Sequence, residues 1–357
     1  MRSLVVSRTP LRISFFGGGT DLPGYYRRHG GRVLSFAIDR YVYVAVKPGW
    51  DDELVLRCGG LERARTADEV SHGIVREALR LTGHPSGLEV VSLSDIPSFG
   101  SGLGSSSAFT VGLLNALYAY RGETRPASEL AELACHIEID LLGEPIGKQD
   151  QYASAVGGCH EYLFHSDGTV TVDPVDVPPE CAAMLDRYAL TFYTGRTRRA
   201  ADVLRDQRAR IDATEDHLHV LKEIVTDGRR CLAESDIARL GELLHTSWET
   251  KKKLSDRIHD NEINSTYEAA RRAGAYGGKL LGAGGGGFLL FLCPPERHNA
   301  LRAALRGLRE MPFRLSAPGT TILVGAPDPG SAFPVTWTAA SRTTSERDGC
   351  DGEVRGG

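Results

Sequence analysis

No stretch of this chain is apolar for long enough to cross a bilayer, and its start shows no basic-then-apolar leader. The expectation is a cytoplasmic protein. Basic charge is not in surplus either: 42 Lys and Arg stand against 46 Asp and Glu, a formal net charge of −4. Nothing in that balance argues for a nucleic acid or a membrane as partner. The seven cysteines, at 58, 135, 159, 181, 231, 293 and 350, never fall in a Cys-x-x-Cys spacing; they read as reduced packing residues rather than disulfides or metal ligands. The eleven histidines form no ligand pattern, and His217 and His219, one residue apart in a charged helical stretch, read as a solvated face. No internal repeat is evident. What remains is a chain of 357 residues, 41% hydrophobic and 25% charged, long enough to bury a large core in one to three domains.

The most informative segment is Pro97-Ser98-Phe99-Gly100-Ser101-Gly102-Leu103-Gly104-Ser105-Ser106-Ser107-Ala108. Glycines at alternate positions let successive backbone N–H groups turn toward one point, and the apolar helical run that follows sets a helix N-terminus there. That is a cradle for a polyphosphate, with serine hydroxyls at its mouth for phosphate oxygens or for a Mg²⁺ bridging them. It is neither of the two common nucleotide motifs. No Lys-Ser or Lys-Thr follows the glycines, and the spacing is not Gly-x-Gly-x-x-Gly. A plain Gly/Ser turn is the alternative, and the strand-like run at 87–93 just before it favours the cradle.

Along the chain, periodicity predicts paired strands at 33–38 and 41–46, a helix at 67–81, a strand at 87–93, and helices at 107–120 and 128–142, the last N-capped by Ser128. Short strands follow at 161–164 and 169–172, and prolines 174, 178 and 179 mark a boundary. A second region opens with a strand at 188–193 and continues as amphipathic helices to about 273. Strands at 275–281 and 287–292, a helix at 297–309 and strands at 312–315 and 321–324 complete it. The class is α+β. Residues 331–357, rich in Ser, Thr, Gly, Asp and Arg, predict a disordered tail.

The cradle resembles the second motif of the GHMP kinases, the family named for galactokinase, homoserine kinase, mevalonate kinase and phosphomevalonate kinase. Two further segments resemble its other motifs in the expected order: Arg8-Thr9-Pro10-Leu11-Arg12-Ile13-Ser14-Phe15-Phe16-Gly17-Gly18-Gly19-Thr20-Asp21, and Lys279-Leu280-Leu281-Gly282-Ala283-Gly284-Gly285-Gly286-Gly287-Phe288. The resemblance implies a two-domain α+β fold with the active site in the interdomain cleft. Residues 1–180 would form the nucleotide- and sugar-binding N-terminal domain and 181–330 the C-terminal one. It implies a sugar kinase that uses ATP, or GTP, with Mg²⁺, its partners being small molecules: a nucleotide and a sugar phosphate.

Site residues follow from the same resemblance. Gly100, Ser101, Gly102, Leu103, Gly104, Ser105, Ser106 and Ser107 would bind the nucleotide phosphates, and Ser106 with Glu138 would hold the metal. Asp150 would accept the proton of the sugar hydroxyl. Arg12 would keep Asp150 ionised and stabilise developing charge, a place for which Arg8 competes. Each has a plainer alternative: Glu138 as one charge of a solvated helix face, Asp150 as the N-cap of a short helix at 151–156, the third motif as a buried strand–turn–strand. Gly17, Gly18, Gly19, Thr20 and Asp21 would line the sugar pocket. Galactokinases carry Gly-Glu-His-Thr-Asp where this chain has Gly17-Gly18-Gly19-Thr20-Asp21, so two side chains give way to space for a longer or phosphorylated sugar. Lys148, Tyr193, Gly195, Arg196 and Arg198 would meet the sugar's own phosphate, with Gly284 and Gly285 closing the site. A neutral deoxysugar, as in fucokinase-like relatives, is the alternative substrate; a non-catalytic sugar- or nucleotide-binding regulator is the alternative of another class.

Overall fold

The computed structural model describes residues 4–84, 86–97, 100–196 and 200–325; the tail expected at 331–357 and Arg198 lie outside them. Among the described residues, twelve strands are interspersed with helices: β1 (Val5–Phe16), β2 (Gly31–Pro48), β3 (Leu54–Arg57), β4 (Leu61–Ala64), β5 (Leu88–Ser94), β6 (Cys159–Phe164), β7 (Val170–Pro174), β8 (Ala189–Tyr193), β9 (Gly277–Leu280), β10 (Phe288–Leu292), β11 (Arg309–Met311) and β12 (Thr321–Val324). They form two sheets in an α+β arrangement.

The first sheet runs β12-β1-β2-β5-β3-β4, with β6 beside β2 and β7 beside β6. The two strands expected at 33–38 and 41–46 are one, because β2 continues for 18 residues through the polar Asp39-Arg40 step. A register shift against β1 at Pro10/Leu11 absorbs that step. The length of β2 matters for the site. Its residues 42–48 pair with β5 and its residues 31–36 with β6, so one strand carries two neighbours on the same side. The Ser105–Arg121 helix lies across β1 and β2, which brings the cradle at its N-terminus to the middle of β1.

The second sheet is antiparallel, in the order β11-β8-β10-β9. Its strand β10 reads Phe-Leu-Leu-Phe-Leu without a polar break because both faces are covered. Phe288, Leu290 and Leu292 join the core shared with the first sheet, while Leu289 and Phe291 join a second core of helix residues such as Trp248 and Tyr267. The helix Ile237–Lys252 packs on β9, setting Lys251 in its last turn beside Lys279.

Several boundaries differ from the sequence expectation. Residues 312–315 form no strand beyond a single bridge of Leu315 to Ile38; the edge strand is β11. Pro126, not Ser128, precedes the Ala127–Cys135 helix, as its fixed φ and missing N–H suit a helix entrance. Residues 67–69 form a separate 3₁₀ turn before the Gly73–Thr82 helix. The last strand, β12, lies outside the second sheet and pairs with β1, aligning Val6 with Val324.

Candidate functional site

A cleft of about 780 Å³ opens where the cradle, the first motif and the third motif meet. Gly100, Gly102 and Gly104 all take positive φ, at 66°, 79° and 75°. Gly104 has a second reason to be glycine, since a Cβ there would lie 3.3 Å from both Arg12 Cγ and Asp150 Oδ2. Six other cradle residues, Gly100, Ser101, Gly102, Ser105, Ser106 and Ser107, line the cleft with it, while the Leu103 side chain is buried beneath. The third motif reaches the cradle by direct backbone contact: a Cβ on Gly282 would fall 2.3 Å from the Gly102 Cα.

Arg12 ties these parts together. Its backbone N–H donates to Leu103 O at 3.1 Å and its Nη1 to Gly102 O at 2.7 Å. Its Nε and Nη2 donate to Asp150 Oδ1 and Oδ2, each at 2.7 Å. This fork is the strong, planar form of an Arg–carboxylate pair. It leaves Asp150 oriented but a quarter exposed, against 4% for the Arg12 side chain. Asp150 sits in the first turn of the Gln149–Val156 helix, and the residue preceding that helix is Lys148. Arg8 lies over the Tyr41 ring instead of the cleft.

Glu138 reaches the cleft through a local irregularity. After Cys135 the helix widens into a π turn, His136–Leu141, that turns Glu138 inward; such turns recur at functional sites. Glu138 Oε1 accepts from Ser106 Oγ at 2.8 Å and Oε2 from Gln151 Nε2 at 2.7 Å. Both partners are neutral. Burial therefore pushes the carboxyl up to about 7, and the Asp150 charge adds to the rise. A carboxylate and a hydroxyl side by side are hard oxygen donors, and a divalent cation would restore the ionised form of Glu138; the pair fits Mg²⁺.

Two cations that sequence reasoning passed over line the same cleft, Lys251 and Lys279. Lys279 Nζ donates to Ser14 O at 3.0 Å and Phe15 O at 2.9 Å, and Lys251 Nζ donates to Gly282 O. Burial, then the charge of Arg12, pulls Lys251 down to about 8; Lys279 is pushed well below the usual lysine range by burial, Lys251 and Arg12. The Lys251-Lys252-Lys253 run resembles any solvated helix end, and Lys279 looks like the lone polar residue of a strand, so the sequence gives no local sign of either. Ser14 Oγ and Gln149 Oε1 are buried at this cleft without a hydrogen-bond partner among the described residues, a condition costly unless a ligand supplies one.

The sugar-motif residues divide. Gly18, Gly19 and Asp21 line the cleft. Asp21 accepts from Gly19 N at 3.0 Å and Gln149 N at 3.4 Å, and burial with the nearby Asp150 raises its carboxyl. Its carboxylate thus clasps the loop to the Gln149 helix. Gly17 and Thr20 shape the turn from behind, with Thr20 Oγ1 bonded to the Gly17 and Arg32 carbonyls. The expected phosphate-binding group is dispersed. Lys148 Nζ turns to Gly168 O at 2.6 Å, Tyr193 packs on Phe288, Gly195 is exposed, and Arg196 is paired with Asp260 at 2.7 Å and Glu262 at 3.0 Å. Gly284 and Gly285 pack on Ile258 rather than on the cleft, where Gly282 and Ala283 stand. One consequence is testable. A Cβ on Gly147 would lie 1.9 Å from Asp21 Oδ2, so Gly147→Ala is expected to break the clasp and cost roughly 1–3 kcal/mol of stability in denaturant unfolding.

The family models for the GHMP kinases N terminal domain and the GHMP kinases C terminal match residues 70–158 and 229–310. A mevalonate kinase of Methanothermobacter thermautotrophicus is 30% identical over 298 residues, spanning 80% of this chain and 91% of that protein. The chain belongs to the GHMP kinases. It is a nucleotide-dependent sugar kinase of that family. A D-glycero-alpha-D-manno-heptose 7-phosphate kinase of Campylobacter jejuni is 29% identical over 317 residues, 84% of this GHMP kinase and 92% of the relative. A solved structure described as a D-glycero-D-manno-heptose 1-phosphate kinase of Bacteroides thetaiotaomicron aligns with a TM-score of 0.74 and 25% identity, covering 89% and 98% of the two chains. No helix among the described residues is long and apolar enough to cross a membrane.

Proposed function

We propose that this enzyme transfers the γ-phosphoryl group of ATP to the anomeric hydroxyl of D-glycero-D-manno-heptose 7-phosphate, giving the 1,7-bisphosphate. The observation that carries a phosphoryl transfer is Asp150, forked by Arg12 at the mouth of the cradle. A carboxylate held by two 2.7 Å bonds keeps one face for a substrate hydroxyl. It takes the hydroxyl proton as the oxygen–phosphorus bond forms and the bridging oxygen leaves with ADP. Cradle N–H groups and Arg12 balance charge on the transferred group. Ser106 and Glu138 would hold Mg²⁺, which neutralises phosphate charge when bound.

The sugar assignment leans on the two heptose-phosphate relatives, whose names place the phosphate on different carbons. A turnover screen of the 7-phosphate, the 1-phosphate and free fucose, with the product carbon assigned by ³¹P NMR, separates these. Better turnover of fucose than of either phosphate would end the heptose reading and leave the kinase intact.

Arg196 and Lys148 do not line the cleft, whereas Lys251 and Lys279 do; Lys251, whose Nζ has a single carbonyl partner, is the amine offered to the acceptor's own phosphate. Lys251→Met is expected to raise KM for heptose 7-phosphate roughly tenfold or more, the worth of a charged hydrogen bond, with KM for ATP little changed. A rise in the ATP value instead would assign Lys251 to the donor phosphates. In the unmodified enzyme the same KM should climb as pH passes about 8 and Lys251 loses its charge.

A further inference from the structure

The short helix Pro23–His29 follows directly on the sugar-motif loop, and side chains of the helix Glu215–Ala233 reach it. His29 ends the first helix. Glu215 and His219 are four apart on the second and so share one face. The three side chains bring their ligating atoms within 4.8 Å of one another. His29 Nε2 stands 3.2 Å from Glu215 Oε2 and His219 Nε2 stands 3.7 Å from Glu215 Oε1. Ligand atoms around a tetrahedral ion with bonds of ~2.05 Å lie about 3.3 Å apart, close to the 3.2 Å from His29 Nε2 to Glu215 Oε2.

Hydrogen bonding supports a metal over a simple polar cluster. His29 Nε2 is buried and, despite its distance to Glu215, makes no hydrogen bond with any described residue. His219 has its other nitrogen occupied: Nδ1 lies 2.6 Å from Tyr25 Oη. With Nδ1–H donated to that oxygen, Nε2 keeps its lone pair for an ion, the arrangement in which an outer partner fixes the tautomer of a ligating histidine. Arg28 shares the carboxylate, with Nη1 3.2 Å from Glu215 Oε2, but its Nη2 is already 2.8 Å from Asp212 and its side chain is 44% exposed. It can remain on Asp212 while the carboxylate turns to an ion.

We propose that His29, Glu215 and His219 bind one divalent transition-metal ion of the Zn²⁺ class, pinning the Pro23–His29 helix to the Glu215–Ala233 helix. Two imidazoles and one carboxylate prefer a borderline ion to Mg²⁺ or Ca²⁺. Three protein ligands leave a fourth position to water. None of the three residues lines the catalytic cleft, so the site is separate from Ser106 and Glu138. Its role is structural, holding the helix that continues from Asp21 and Leu22.

The test is calorimetric titration of chelator-treated full-length protein with Zn²⁺, alongside its thermal midpoint and the visible spectrum of its Co²⁺ form. Expected are one ion per chain, a raised midpoint and the intense d–d bands of tetrahedral Co²⁺. His29→Gln and His219→Gln should each weaken Zn²⁺ binding at least roughly tenfold, while circular dichroism confirms that both variants are folded. Mg²⁺ should neither raise the midpoint through this trio nor displace Co²⁺ from it. Absence of saturable Zn²⁺ binding overturns the proposal. So does undiminished binding in the folded double variant, which would place the ion on other residues.

Discussion

Asp150→Asn is expected to lower kcat by roughly 10²-fold or more while nucleotide affinity changes little, because a positioned proton acceptor is worth about that much in a transfer step. The loss should be steeper than removal of a charge alone implies. Arg12 presents two N–H donors to two carboxylate oxygens. An asparagine amide offers one oxygen, and its NH₂ faces the other donor, so one arm of the fork is lost and the side chain is free to turn. Single-turnover kinetics with saturating ATP, beside calorimetric nucleotide binding, separates chemistry from binding. Turnover within tenfold of the unmodified enzyme would remove Asp150 from the role of base.

Glu138→Gln should act in two opposite directions. The magnesium concentration needed for half-maximal rate is expected to rise roughly tenfold or more, since an anionic ligand costs at least as much to lose as a supporting partner does. The nucleotide-free protein should become more stable near pH 8. Burial raises this carboxyl from 4.5 to about 7, so between those values the folded chain binds more protons than the unfolded one. Its contribution to stability is full below pH 4.5 and is lost as pH climbs through about 7, a swing of about 3 kcal/mol at most. Glutamine does not titrate. Its NH₂ can face Ser106 Oγ, which accepts as well as donates, while its oxygen still accepts from Gln151. Thermal unfolding at pH 5 and pH 8 checks the sign: the advantage of the variant should appear at the higher pH and shrink at the lower. In the unmodified enzyme protons compete with magnesium for Glu138 below about pH 7, so its magnesium requirement should rise there; the variant should lack that rise. An unchanged magnesium titration would return Glu138 to a structural role.

What the sequence made legible was whatever depends on neighbours along the chain. The cradle could be read because three glycines and the helix after them are contiguous, and β8, β10 and the long Ser105 helix because their periodicity is undisturbed. Lys251 and Lys279 were not legible. Their pairing requires the Ile237–Lys252 helix to lie on β9, a tertiary contact with no local signature. Arg196 misled for the same reason, since Asp260 and Glu262, which hold it, are more than sixty residues away. The π turn at His136–Leu141 was hidden too, because helical periodicity alone does not register one widened turn. His219 looked like a solvated histidine until its neighbours on another helix were in view.

The pairing of β12 with β1 bears on how the chain is made. The partner of Val6 is Val324, Thr9 Oγ1 meets Thr320 Oγ1 at 2.8 Å, and Asn115 donates to that same threonine at 3.1 Å. A ribosome releases the first of these strands more than three hundred residues before the last. During translation the flank of β1 that β12 will cover stays open, with its backbone donors and acceptors available to any other extended segment, including those of neighbouring nascent chains. The sheet bearing Arg12 is therefore sealed last, by a strand that follows the whole second sheet along the chain, and nascent chains halted before residue 320 should be the aggregation-prone species in a synthesis time course.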